Sequence, residues 1–121
     1  MHKYHARRTV VYGVTFPSRA EAARWVQLQE ALESGAIRDL ERQVRYDLMG
    51  CGKYCADFRY LLKRGLGGYV LVVEDVKGVE TAMFRLKRKL VKRLHKVTVT
   101  TVRMRSKDVD VLLAAAGGQS V

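Results

Sequence analysis

Apolar positions along the chain alternate between spacings of two residues and of three to four, and each switch marks a change of element. Residues 9–16 place Thr9, Val10, Val11, Val14 and Phe16 around Gly13, which predicts a short hairpin that Pro17 ends. Ser18 opens a helix as a favoured N-cap, Glu21 stands at the capping-box position, and Ala22, Trp25, Val26, Leu28 and Leu32 follow at helical spacing until Gly35. From Ile37 to Leu48 apolar and charged residues nearly alternate, which predicts an extended segment with Gly50 and Gly52 marking the turn beyond it. Residues 54–62 predict a second strand, the RGLGG of residues 64–68 its hairpin loop, and residues 69–77 a third strand.

That third strand, YVLVVEDVKG with its trailing glycine, has the apolar run of a strand buried on both faces, yet it closes on Glu74, Asp75 and Lys77. A second helix over residues 80–95 sets Met83, Leu86 or Lys87, Leu90, Val91 and Leu94 on one side. Arg85, Arg88, Lys89, Lys92, Arg93 and Lys96 form a continuous basic side. Residues 96–102 are strongly β-forming, and residues 106–116 predict a capped helix that Gly117 and Gly118 end. Residues 1–8 read as a flexible basic arm and residues 117–121 as a disordered tail. The expected fold is therefore α/β, one domain over residues 9–116 with the order hairpin-α-β-β-β-α-β-α.

A length of 121 residues suits a single core, and no apolar run approaches the roughly 20 residues of a membrane-spanning helix. The first residues lack the apolar stretch and cleavage site of a secretory signal, so a cytoplasmic location is expected, in the host cytoplasm if the chain is viral. Charge narrows the function: 23 Lys and Arg against 12 Asp and Glu give a formal net charge of +11, which points to a polyanionic partner. The alternative is a basic surface of ribosomal or thermostable type, with which the absence of Asn agrees. Lys3, Arg7 and Arg8 on the arm and the basic side of the second helix are the candidate phosphate contacts. Cys51 and Cys55, four apart and far in sequence from every His, fall short of a four-ligand zinc site and read as reduced residues in or near a strand, a disulfide between them being the alternative.

The candidate chemistry lies at the end of the third strand. Residues two apart in a strand share a face, so Asp75 and Lys77 point one way and Glu74 the other, where it reads as a surface charge. Asp57 lies about as far before the hairpin loop as Asp75 lies after it, so the two acids can meet across the ladder. Two close carboxylates call for a neutralising cation, and an oxygen-only donor set suits Mg²⁺, with Mn²⁺ as substitute. Such an ion makes water a usable nucleophile at phosphorus, with Lys77 to orient it or stabilise charge. Glu21 is either a further oxygen ligand or a helix-capping acid; Asp57 read alone is an edge acid paired with Arg59 or Lys77. Gln43 either orients the site from a neighbouring strand or is a plain edge-strand residue, and Trp25 and Phe84 sit at packing positions.

Asp57 in YCADF, Asp75-Val76-Lys77 in VEDVKG and the helical Glu21, in this element order, resemble the PD-(D/E)xK nuclease superfamily. Small size and basicity are most similar to its archaeal-type Holliday-junction resolvases, and FPSRAE, YCADF and VEDVKG resemble phage-encoded relatives of these. The likeness covers roughly residues 3–103. It departs from the pattern in having Ala56 for the motif's Pro and Asp75 where many resolvases carry Glu. It implies a restriction-endonuclease-like core with a central mixed sheet flanked by helices. It also implies metal binding by Asp57, Asp75 and the Val76 carbonyl with Glu21 completing the site, and a catalytic role for Lys77. The implied activity is Mg²⁺-dependent cutting of four-way DNA junctions by a homodimer, since paired cuts on a pseudo-two-fold substrate call for two sites. The alternatives are a nuclease for other branched, nicked or mismatched DNA and a non-catalytic basic DNA-binding protein; neither a membrane nor a small-molecule cofactor is expected.

Overall fold

The computed structural model describes residues 7–121, so Lys3 and the rest of the arm before Arg7 lie outside the described residues. In chain order the elements are β1 (Thr9–Val11), β2 (Val14–Phe16), α1 (Arg19–Ser34), β3 (Ile37–Asp47), β4 (Lys53–Lys63), β5 (Tyr69–Val76), α2 (Ala82–His95), β6 (Val99–Val102), α3 (Ser106–Ala116) and β7 (Gln119–Ser120). They group into two units, one made of the segment ending at Ala31 together with Met104–Val121, the other of Leu32–Arg103.

In the first unit β1 lies between β2 and β7 in an antiparallel sheet. Tyr12 and Gly13 join β1 to β2 with φ of 51° and 75°, the doubly left-handed turn whose twist matches a two-residue hairpin. Phe16, fully buried, stacks at 5.8 Å on Trp25. The Ser18 hydroxyl accepts the Glu21 backbone N–H at 3.1 Å, so α1 starts where its capping residues place it. Residues 117–121, expected as a tail, instead carry β7. Gly117 takes φ 71° and Gly118 donates to the Leu113 carbonyl at 2.8 Å, a left-handed exit that turns the chain so that Gln119 pairs with Val10 and Ser120 with Thr9. A tail this short is legible only through the strand it meets.

The second unit is a mixed four-stranded sheet in the order β3-β4-β5-β6, antiparallel except for β5 and β6, which α2 connects as parallel neighbours. Its core gathers Tyr46, Tyr54, Val73, Phe84, Val91 and Val99 among others. α2 starts at Thr81, whose hydroxyl accepts the Phe84 N–H at 3.1 Å, and ends at Lys96 in a left-handed conformation. Phe84 and Val91 are its buried residues, whereas Met83, Leu86 and Leu94 of the expected apolar side are 60%, 53% and 39% exposed. Phe84 packs in the core as expected, and the helix is rotated toward it, which leaves Met83 outside.

β5 departs further from expectation. Its apolar start is open, with Tyr69, Val70 and Leu71 38%, 44% and 49% exposed, while Val73, Glu74 and Asp75 are only 1–2% exposed. The charged end of the strand is the buried end. Among the described residues, no helix is long and apolar enough to cross a membrane.

Phe58, with no exposed surface in the middle of β4, is the largest apolar side chain sealed into this unit. Truncation to Ala should cost about 3–5 kcal/mol, read as a lower urea midpoint with an unchanged slope.

Candidate functional site

The β4–β5 register sets Phe58 opposite Glu74, so Asp57 and Asp75 meet at the step just beyond the last paired rung. Their side chains replace the ladder bonds there. The Asp57 N–H donates to Asp75 Oδ1 at 2.8 Å, and the Val76 N–H donates to Asp57 Oδ2 at 2.9 Å, so each acid grips the other's strand. Beyond them the Lys77 N–H donates to the Val102 carbonyl of β6 at 3.0 Å, which fixes the lysine backbone next to the acids. Its ammonium stands 4.7 Å from the centre of the Phe84 ring, a cation–π seat supplied by α2.

Alternation along β5 sends Glu74 the other way, but not to the surface as expected. It is 1% exposed and accepts a hydrogen bond from the Tyr60 hydroxyl at 2.9 Å. A buried polar partner one strand away could not be read from the local sequence, because Tyr60 lies diagonally across the ladder.

Burial dominates the electrostatics of Asp75. Removal from water pushes its carboxyl up to about 6, opposed by the Asp57 N–H it accepts and by the charge of Lys77. Its second oxygen, Oδ2, is buried with no hydrogen-bond partner. An orphaned carboxylate oxygen is costly unless something positive meets it. The donor chemistry therefore fits a hard divalent cation, held by one or two carboxylates with water completing the shell. Among the described residues no group of three or more His, Cys, Asp or Glu side chains gathers at metal-binding distance, so the carboxylates here are a pair without a third acid.

Asp57, Asp75, Val76 and Lys77 are thus brought together within the second unit. Glu21 belongs to the first unit, where it is 5% exposed and its N–H completes the Ser18 cap. Arg59, the alternative partner for Asp57, binds Glu41 at 2.8 Å and the Tyr46 hydroxyl at 3.3 Å. Gln43, with φ 53°, has its carbonyl 3.1 Å from the Cys55 sulfur. Cys51 and Cys55 are free and exposed, as reduced thiols rather than a disulfide.

The expected phosphate contacts are less uniform than a solvated helix face. Arg7 and Arg8 are exposed just before β1. On α2, Arg85 donates to the Glu80 carbonyl at 2.7 Å, Arg88 reaches the Glu80 carboxylate at 3.2 Å, and Lys92 donates to the Thr98 hydroxyl at 2.9 Å. Glu80 and Thr98 give this side a fixed shape. Glu80 precedes the Thr81 cap of α2 and stands eight residues before Arg88, beyond the three-to-four spacing at which paired charges on a helix are legible in sequence.

Fold and site together define an α/β protein with a buried carboxylate, a half-buried one across the ladder from it and a neighbouring lysine at the end of a mixed sheet. The chain belongs to the DUF1064 family, described as "protein of unknown function", whose model matches residues 1–109. No curated protein and no solved structure matches it.

A carboxyl raised from 3.8 to about 6 in the folded state favours its protonated form there, so its contribution to stability is intact below pH 4 and is lost as pH rises through about 6. Asp75→Asn keeps the oxygen that accepts the Asp57 N–H but removes the charge. In metal-free buffer its unfolding free energy should match wild type below about pH 4 and exceed it above pH 6 by about 3 kcal/mol, measured by urea denaturation across that range.

Proposed function

We propose that this chain is a metal-dependent, structure-selective DNA endonuclease that hydrolyses phosphodiester bonds, with a four-way junction as its preferred substrate. The observation that carries the reading is the juxtaposed Asp57 and Asp75 with an unpartnered buried oxygen, beside Lys77. The mixed sheet with its β-β-β-α-β order supports a restriction-endonuclease-like core, and the net charge of +11 supports a polyanionic substrate.

A bound Mg²⁺ or Mn²⁺ supplies Lewis acidity toward the phosphate and makes water nucleophilic at neutral pH. Asp57 and Asp75 would hold the ion, and the Val76 carbonyl between the acid and the lysine would complete the protein ligands. Cross-strand bonds to the two carboxylates keep them from turning away when no ion is present, so little reorganisation accompanies binding. Lys77, restrained over Phe84, orients the attacking water and meets charge developing on the phosphate oxygens. Attack in line with the leaving 3′ oxygen yields a 5′-phosphate and a 3′-hydroxyl. Paired nicks on a pseudo-two-fold junction require two such sites, which a C2 homodimer provides.

The test is incubation of an end-labelled four-way junction with the protein in Mg²⁺ and in chelator, beside flap, fork and linear duplex. Symmetric nicks on opposing strands, only with metal and with the junction cut fastest, are expected. Asp57→Asn, Asp75→Asn and Lys77→Ala should each lower the rate by on the order of 100-fold or more while junction binding in Ca²⁺ persists. Full-rate cutting by any one of them removes that residue from the mechanism. Binding without cutting by wild type on every substrate would leave a non-catalytic DNA-binding protein.

A further inference from the structure

Arg88, Lys89 and Lys92 on α2, with Thr98 and Val99 where β6 begins, line an open cavity of about 360 Å³. Its parts are held in place. Lys92 is tied at 2.9 Å to the Thr98 hydroxyl, leaving the lysine two more N–H donors and the hydroxyl its own proton. Arg88 is braced by Glu80 at 3.2 and 3.5 Å and lies 5.2 Å from the centre of the Phe84 ring. That ring also seats Lys77 at 4.7 Å, so a residue lining the cavity and the lysine that follows Asp75 on β5 meet the same side chain.

We infer that this cavity binds one sugar-phosphate unit of a DNA backbone, so that the strand is gripped beside the acid pair as well as at it. Three cations and a hydroxyl suit a phosphate, and the aliphatic stems of the basic residues offer an apolar wall for the sugar. Arg88 alone would be an internal ion pair with Glu80. With Lys89 and Lys92 beside it the cavity keeps a surplus of positive charge that nothing among its lining residues neutralises. Other cations of α2 differ: Arg85 is committed to the Glu80 carbonyl, and Lys87 to the Lys53 carbonyl at 3.2 Å. The inference rests on the DNA-directed reading of the preceding section and gives it a place and a contact set.

The experiment is fluorescence anisotropy of a labelled 20-base-pair duplex with the full chain in Ca²⁺ buffer, over a series of NaCl concentrations. Lys92→Met should weaken binding about fivefold to tenfold and lower the slope of log affinity against log salt by about one, the signature of one lost phosphate contact. Thr98→Val should weaken it about threefold with the slope unchanged, since it removes a hydrogen bond and no charge. Lys107→Met, on α3 in the other unit, should bind as wild type does. Wild-type affinity and slope in both cavity variants would overturn the inference, as would an equal loss in Lys107→Met, which would mean an undirected field. So would displacement of the duplex by poly-glutamate that the cavity variants weaken as much as they weaken DNA binding, because the cavity would then serve acidic protein equally. Junction cutting that proceeds with no cavity dependence sinks this site and spares the nuclease. Cavity-dependent binding with no cutting does the reverse.

Discussion

Two carboxylates buried at the closing end of a β-ladder set the terms for the second unit. Asp75 is 2% exposed and Glu74 beside it 1%, in a strand whose apolar beginning lies open. Withdrawing an acid from water costs several kilocalories per mole in the absence of compensation. The compensation is local: a phenol for Glu74, a cross-strand N–H for each of Asp75 and Asp57, and the charge of Lys77 for Asp75. One oxygen of Asp75 is left without a share. That atom is the unmet part of the arrangement, burial raises its carboxyl toward the protonated state, and the proposed cation is what would meet it.

Much of this was legible in the chain itself, for a physical reason. RGLGG supplies flexible residues between two β-forming runs, and counting outward from it along strands of fixed rise places Asp57 opposite Asp75. The capping residues Ser18 and the glycine after α3 likewise mark element ends, because they answer backbone groups that the helix leaves unpaired. Tertiary partners were not legible. Glu74 reads as a surface charge until Tyr60 is known to reach it from two rungs away. β7 exists only because β1 offers an edge, and the rotation of α2 depends on which aromatic fits against Tyr54. The apolar run of β5 misled for a related reason, since hydrophobicity shows what a strand is able to bury and not which end meets a helix.

α2 joins the two halves of the functional account. Its buried Phe84 accepts the Lys77 ammonium on one hand and the Arg88 guanidinium on the other, so one ring positions both the lysine beside the acids and the wall of the basic cavity. Two cations near a single π-face repel each other, which the Glu80 carboxylate on Arg88 relieves. The basic side of this helix is thus an organised surface with an acid built into it, as the proposed grip on one strand path requires.

The central claim is that Asp57 and Asp75 form a cation site, and Mn²⁺ binding tests it without reference to any substrate. Titrating the protein with Mn²⁺ and following the free ion by electron paramagnetic resonance should show saturable uptake that Mg²⁺ displaces and that both Asp57→Asn and Asp75→Asn abolish. Mn²⁺ that stays free, or that binds the two variants as it binds wild type, would contradict the account.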